Sequence, residues 1–144
     1  MTETTSIRIL PNPRRRPLHP AIDEAMIEQL VRAFYAQIRK DPMLAPIFAK
    51  AIPGDWEPHL QTMMAFWSSV MLMSGRYKGQ PVPKHQALTT VQHEHFDRWL
   101  ALFDQTAREI CPPNIADLFQ DRATQIADSL KRAMFERPAA ETVT

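Results

Sequence analysis

The sequence predicts a single all-α domain, and three observations lead to that prediction. Apolar residues recur at three- and four-residue steps over four long stretches, which places them on one face of a helix in each stretch. Prolines fall between these stretches, and the chain has 13 prolines but only 3 glycines. So few glycines disfavour a hairpin-rich β fold, which needs them at its tight turns. The length of 144 residues suits one domain.

The first predicted helix spans Ala21–Lys40, with Asp23 and Glu24 in its first turn. Acidic groups there complement the positive end of the helix dipole. Pro42 ends this helix, since proline is common just beyond a helix end. A short helical piece is predicted next, around Leu44–Ala51.

Three further long helices are predicted in the rest of the chain. One runs from about Asp55, a plausible N-cap, to Gly75. Residues 76–90 are predicted to be irregular, with at most a short helical turn near His85. The last two predicted helices, separated by a pair of prolines, are Val91–Ile110 and Asn114–Glu136.

The two ends of the chain are predicted as flexible tails. Residues 1–20 have no helical period and contain four prolines around the run Arg14–Arg16. A solvated extension explains this composition, and contact with an anionic partner is the alternative. The domain would then cover residues 21–137, with residues 138–144 as a C-terminal tail.

The composition argues against several classes of protein. Seventeen basic and sixteen acidic residues give a net charge of +1, without the basic excess of a nucleic-acid-binding domain. No apolar run reaches the roughly 18 residues of a membrane span, and the N-terminus lacks a signal-peptide pattern. Cys111 is the single cysteine and cannot form an internal disulfide, which predicts a reducing, cytoplasmic setting.

Two histidines are candidates for a binding site. His85 follows a proline-framed segment, and a short rigid turn could hold its imidazole at a fixed distance from a planar cofactor. On spacing alone, an exposed loop histidine is the favoured explanation. His59 shares a helix face with Met63 and Phe66, where a half-buried structural histidine is the alternative to a site residue.

Other polar side chains allow more than one interpretation. The Tyr35 hydroxyl could point into the interior or toward water, and the Trp99 N–H needs an acceptor that could be backbone, water or a ligand. His93 and His95, together with His85, could bind zinc or copper. Residues two apart on a helix point in different directions, however, which disfavours such a metal site.

Four segments of the chain occur in a characteristic order and spacing. They are Ala33-Phe34-Tyr35, then Trp56…His59…Phe66-Trp67, then Gly79-Gln80-Pro81…Lys84-His85…Leu88, and then Phe96…Trp99-Leu100…Leu102-Phe103. In this order and spacing they resemble the group III truncated haemoglobins, and the resemblance covers roughly residues 21–136. The chain has no adjacent glycines, whereas the first two groups of truncated haemoglobins carry Gly-Gly turns.

The resemblance implies a truncated globin fold, in which a two-over-two helical sandwich surrounds haem b. It implies that His85 is the proximal iron ligand. Tyr35, His59 and Trp99 would form the polar distal set, where a diatomic gas binds. Further haem contacts are expected, and among them Arg76, Tyr77 and Lys84 would lie toward the propionates. The full set is Phe34, Met63, Phe66, Trp67, Arg76, Tyr77, Lys84 and Phe96.

Three functions follow as expectations. The first is reversible binding of dioxygen, with nitric oxide and carbon monoxide as further ligands. The second is a haem enzyme for nitric oxide dioxygenation or peroxide reduction, which would need an external reductase. The third is a helical interaction module that binds zinc or has no cofactor. No nucleic-acid or membrane partner is expected.

Overall fold

The computed structural model describes residues 18–79, 81, 85 and 90–135. Over these residues all regular secondary structure is helical, which confirms the predicted all-α class. Pro81 and His85, the two described residues between 80 and 89, also have helical backbone. The helices with described bounds are α1 (Glu24–Ile38), α2 (Ala45–Ala51), α3 (Glu57–Leu72), α4 (His93–Ile110) and α5 (Pro113–Phe135).

The four long helices form two packed pairs. α1 packs against α3, α4 packs against α5, and α1 also crosses α4, which joins the pairs. This is the expected two-over-two arrangement. The core between the pairs consists of side chains from all four helices, chiefly Ile27, Leu30, Phe34, Ile38, Trp67, Met71, Phe103, Ala107, Ile115 and Phe119.

Helix boundaries differ in detail from the prediction. α1 begins after Asp23, because the Asp23 carboxylate accepts a hydrogen bond from the Met26 N–H at 2.9 Å and so acts as the N-cap. Asp55 was expected to cap α3, but Trp56 occupies the N-cap position and Asp55 instead accepts from the Glu57 N–H at 3.1 Å. α3 ends before Met73, whose φ of 58° is left-handed and stops the helix.

The N-terminal tail predicted over residues 1–20 is attached to the domain at its end. The Leu18 N–H donates to the Met71 carbonyl oxygen at 2.8 Å, and the Leu18 side chain packs against the core. The rest of that tail, residues 1–17, and the predicted C-terminal tail lie outside the described residues. In the described part of the chain, no helix is both long and apolar enough to cross a membrane.

Candidate functional site

A cavity of about 540 Å³ lies between the two helix pairs. Its walls come from α1, α2, α3, α4 and α5, and from Tyr77, Pro81 and His85 in the connection between α3 and α4. The walls are mostly apolar, with polar groups at a few positions. Cavities of roughly 300–1,000 Å³ with this character are typical of cofactor and small-molecule sites.

Tyr35 is the polar group that α1 contributes to the cavity. It is only 4% exposed, and the aromatic rings of Phe34, Phe48 and His59 lie 5.0, 6.0 and 5.1 Å from its own. Burial raises the pKa of the Tyr35 phenol well above its ordinary value. The hydroxyl therefore keeps its proton and remains a hydrogen-bond donor at the cavity wall.

His59 lies near the start of α3, at the same wall as Tyr35. Its ring is perpendicular to the rings of Tyr35 and Trp56, with centroids 5.1 and 5.5 Å away. Outside this cluster, the Arg39 guanidinium lies 4.8 Å from the centre of the Trp56 ring, within cation–π range. Half-buried Trp56 therefore separates His59 from the surface at this point.

Trp99 is the polar aromatic that α4 contributes to the cavity. Its indole lies parallel to the Phe103 ring, with centroids 5.7 Å apart, and Phe103 lies parallel to Trp67 at 5.0 Å. The edge of Phe34 meets Trp99 at 5.5 Å. Since aromatic pairs prefer these stacked and edge-on geometries, the indole plane is held on several sides.

His85 has one ring nitrogen committed to the backbone. Its Nδ1 lies 2.7 Å from the Pro81 carbonyl oxygen. A carbonyl oxygen only accepts, so Nδ1 carries the proton and donates, and in the neutral imidazole this leaves the lone pair on Nε2. Metal-ligating histidines are held in this way by a second hydrogen bond. His85 also lines the cavity, so the site fits a planar iron cofactor with one histidine ligand.

The segment leading from α3 toward His85 is anchored at Tyr77. The Tyr77 N–H donates to the Ser69 hydroxyl at 2.8 Å, and the Tyr77 ring meets the edge of Phe66 at 5.2 Å. Gly79 leaves room for this ring, because a Cβ atom there would lie 2.5 Å from the Tyr77 hydroxyl oxygen. The Tyr77 ring can thus form part of the cavity wall.

Most of the residues proposed from the sequence line this one cavity. Phe34 does not; it is 1% exposed and packs behind Tyr35 and Trp99. Lys84 lies outside the described residues. The residues that do form the walls are Tyr35, His59, Met63, Phe66, Trp67, Tyr77, His85, Phe96 and Trp99.

Arg76 is placed differently from the other expected haem contacts. It was expected to reach toward the propionates, but it is absent from the cavity wall and forms an ion pair with Glu24 at 2.6 Å. Glu24 also accepts from the Ser68 hydroxyl at 2.6 Å, so the carboxylate joins the start of α1 to the end of α3. Arg76 therefore links the segment after α3 to the start of α1 at the protein surface.

The wall formed by α2 and its two capping residues was not predicted from the sequence. Leu44, Ile47, Phe48 and Ile52 line the cavity, although this short helix was given no role. The side chains of Ile47 and Phe48 are only half-buried, as expected for apolar groups that face a cavity. The α5 residues Ile126, Ala127 and Leu130 were missed in the same way, because an apolar position on a helix looks the same whether it faces a core or a cavity.

His95 has two roles that its position in the sequence did not reveal. It lines the cavity, and its Nδ1 accepts from the Gln92 N–H at 2.8 Å in the capping box that begins α4. His93 instead lies on the Phe135 ring, at 4.3 Å between centroids. Among the described residues no three histidine, cysteine or acidic side chains are placed to hold a metal ion, so the alternative zinc or copper site with His85 is not formed there.

Two helix pairs closed around an apolar cavity, with a histidine whose Nε2 is left available, define a short globin. Residues 21–136 match the family model described as "Bacterial-like globin". The group 3 truncated hemoglobin ctb of Campylobacter jejuni subsp. jejuni serotype O:2 is 31% identical over 118 residues, which is 80% of this chain and 93% of that protein. The chain therefore belongs to the bacterial-like globins, as a group III truncated haemoglobin.

Two further similarities agree with this assignment. The crystal structure of the group III truncated hemoglobin from Campylobacter jejuni superposes with a TM-score of 0.77 at 30% identity, covering 82% of this chain and 95% of that one. The group 1 truncated hemoglobin GlbN of Nostoc sp. (strain MUN 8820) is 35% identical over 71 residues, or 49% of this chain and 58% of that protein. The truncated globin fold and the resemblance found in the sequence are thus confirmed.

Proposed function

We propose that this chain binds haem b in the cavity through His85 and reversibly binds dioxygen, with carbon monoxide and nitric oxide as further ligands. The observation that carries the proposal is the hydrogen bond from His85 Nδ1 to the Pro81 carbonyl oxygen inside a cavity of about 540 Å³. In the tautomer that donates from Nδ1 alone, Nε2 is available to bind the haem iron. The names of the similar proteins, which call them truncated hemoglobins, support the same conclusion.

Haem held by His85 would supply an iron centre that binds a diatomic gas, and hydrogen-bond donors on the cavity wall would stabilise the negative charge that dioxygen takes on there. Tyr35 is one donor for that charge, because it is buried in the cavity wall and its phenol carries a proton at neutral pH. Trp99 and His59 line the same cavity and offer N–H groups. Carbon monoxide polarises far less, so these donors favour dioxygen.

The size of the effect follows from the strength of such a hydrogen bond. A hydrogen bond to a charged group contributes about 1.5–3 kcal/mol. At about 1.4 kcal/mol per factor of ten, each donor is worth roughly 10- to 100-fold in dioxygen affinity.

The apolar wall has a separate role. Met63, Phe66 and Trp67 line the cavity from α3, and Trp67 is only 2% exposed. Side chains of this kind exclude water from the gas-binding position. Exclusion of water strengthens the hydrogen bonds of Tyr35 and Trp99, because the local dielectric is low.

Absorption spectra of the ferric, ferrous and carbon monoxide-saturated protein test the proposal. We expect a strong Soret band that shifts on reduction and again with carbon monoxide. His85→Ala should lose most of the haem, whereas His93→Ala, which changes a histidine outside the cavity wall, should retain it. A featureless spectrum after addition of haem, or full loading of His85→Ala with an unaltered ferrous spectrum, would contradict the proposal.

A second candidate function is the reduction of peroxide or the dioxygenation of nitric oxide with an external reductase. It is favoured by the three polar donors Tyr35, His59 and Trp99 that line one cavity, which is more than simple carriage of a gas requires. Rapid turnover of either substrate with an added electron donor would support it. Turnover no faster than that of haem free in solution would exclude it.

A further inference from the structure

A buried carboxylate lies between α1 and α2, behind the cavity wall. Asp41 is only 4% exposed. Its Oδ1 accepts from Arg98 Nε at 2.7 Å and lies 2.6 Å from Arg98 Nη2. Its Oδ2 accepts from the backbone N–H groups of Leu44 and Met43, at 2.9 and 3.1 Å. Both oxygens are therefore committed, one to α4 and the other to the turn that begins α2.

This pair connects two walls of the cavity that are far apart in the sequence. Asp41 holds the turn before α2, and Leu44 and Phe48 on that side line the cavity. Arg98 directly precedes Trp99 on α4, and Trp99 lines the cavity as well. Phe48 also touches the Tyr35 ring, at 6.0 Å. The Asp41–Arg98 contact thus fixes the position of the α2 wall relative to the helical turn of α4 that carries Trp99, called the Trp99 turn below.

The charge state of Asp41 makes this a strong connection. Burial alone would raise the pKa of its carboxyl, but the hydrogen bonds from Arg98 and from the Leu44 N–H outweigh burial and hold that pKa below its ordinary value. The carboxylate is therefore ionised at neutral pH, and its bonds to Arg98 are charge-assisted. If Arg98 were lost, a buried charge would remain without its partner.

We propose that Asp41 and Arg98 are positioning residues of the gas-binding site, holding the α2 wall and the Trp99 turn so that Tyr35 and Trp99 can donate to the same ligand. The inference deepens the proposed function and rests on it for its kinetic consequence. Neither residue touches the ligand itself. The alternative is a pair that contributes only to stability.

Asp41→Asn separates the two roles of this carboxylate, which are to accept from the backbone of the turn before α2 and to pair with Arg98. The asparagine carbonyl can still accept from the Leu44 and Met43 N–H groups, but its NH₂ group would face the donors of Arg98. Arg98→Gln removes the cation, and Arg98→Lys keeps the charge with a different donor geometry. Arg108→Gln is the matched control: Arg108 is also on α4, contacts the carboxylates of Asp104 and Asp117, and has the same 45% side-chain exposure as Arg98.

The first measurement is the dioxygen off-rate of the ferrous haem-loaded protein, with the carbon monoxide off-rate beside it. In Asp41→Asn and Arg98→Gln we expect dioxygen to leave about 10-fold faster, the size of one lost donor, and carbon monoxide to leave at an unchanged rate. Arg98→Lys should lie between these variants and the parent, and it remains testable if Arg98→Gln does not fold. Arg108→Gln should match the parent. Unchanged dioxygen off-rates in folded variants, whatever their Tm, overturn the proposal.

The second measurement does not depend on gas binding. The indole N–H signal of Trp99, identified from its loss in Trp99→Phe, is recorded by NMR for the carbon monoxide-saturated protein, or for the protein as purified if it takes up no gas. It should shift in both Asp41 and Arg98 variants and stay in place in Arg108→Gln, with the Trp67 signal as internal reference. A Trp99 signal that does not move overturns the positioning role, whereas failure of the parent to bind any gas overturns only the proposed function.

Discussion

The indole ring of Trp99 lies parallel to the phenyl ring of Phe103, with 5.7 Å between centroids and 7° between planes. Phe103 makes a second parallel contact with Trp67, at 5.0 Å and 11°. Phe103 is 1% exposed, so it cannot move without opening a void. One core side chain therefore supports two aromatic residues of the cavity wall.

Phe103→Leu should lower the free energy of unfolding and also loosen Trp99. Aromatic pairs contribute about 0.5–1.5 kcal/mol each, so we expect a loss of about 1–3 kcal/mol in urea unfolding. The dioxygen off-rate should rise because Trp99 is less constrained. Phe119→Leu is the control, since Phe119 is equally buried and contacts Trp67 and Phe103 but makes no ring contact with Trp99. Equal off-rate increases in the two variants would argue against a specific role for Phe103.

Tyr35→Phe should raise the dioxygen off-rate by at least about 10-fold, because it removes a donor and leaves the ring in place. The carbon monoxide off-rate should stay close to that of the parent and serves as the internal control. Stopped-flow displacement of each gas gives both rates. An unchanged dioxygen off-rate would remove Tyr35 from the role of principal donor.

The pH dependence of stability should also report on Tyr35. Its pKa is raised in the folded protein from an ordinary value of 10.0, so its contribution is complete below that pH and is lost as pH rises toward the folded value. Urea unfolding between about pH 8 and about pH 11 should show a decline that is smaller in Tyr35→Phe. The dioxygen off-rate should stay level up to about pH 10, where an exposed tyrosine would titrate. Identical declines in both proteins would show that Tyr35 is not the group involved.

Gly79→Ala should disturb the wall formed by Tyr77. The new Cβ atom would lie 2.5 Å from the hydroxyl oxygen and 2.7 Å from Cζ of Tyr77, so the ring has to move away. We expect a loss of about 1–3 kcal/mol in stability and faster transfer of haem to an acceptor protein. Gly54→Ala provides the contrast, because no heavy atom lies within 4 Å of a Cβ at that position. Equal haem transfer rates in both variants would mean that the ring adjusts without consequence.

The long helices could be predicted because their burial follows a helical period along the chain. α1, α4 and α5 each bury residues at three- and four-residue steps, and the prediction placed all three. The end of α3 was placed too late, because nothing in the local pattern marks Met73 as the residue that turns left-handed. Such endings depend on the tertiary course of the chain as much as on residue type.

Parts of the site could not be predicted, because they depend on contacts between distant residues. Arg76 looked like a basic group free to meet an anionic cofactor, and its pairing with Glu24 appears only when α1 and the segment after α3 come together. The Asp41–Arg98 pair is of the same kind. The segments that resemble the group III truncated haemoglobins pointed to His85, Tyr35, His59 and Trp99 as site residues. Helical periodicity alone left each of these residues with another explanation.

His95 both lines the cavity and helps to cap α4, so a substitution at this position changes the cavity volume and the start of the helix together. Its ring forms part of the wall, and its Nδ1 is the acceptor for the Gln92 N–H. A smaller residue, chosen to admit a bulkier porphyrin derivative, would also uncap α4. Glutamine is an exception worth trying in protein engineering, since glutamine or glutamate at the third position of a helix accepts from the N-cap N–H in a capping box. Redesign of this pocket therefore has to consider helix capping and porphyrin shape together.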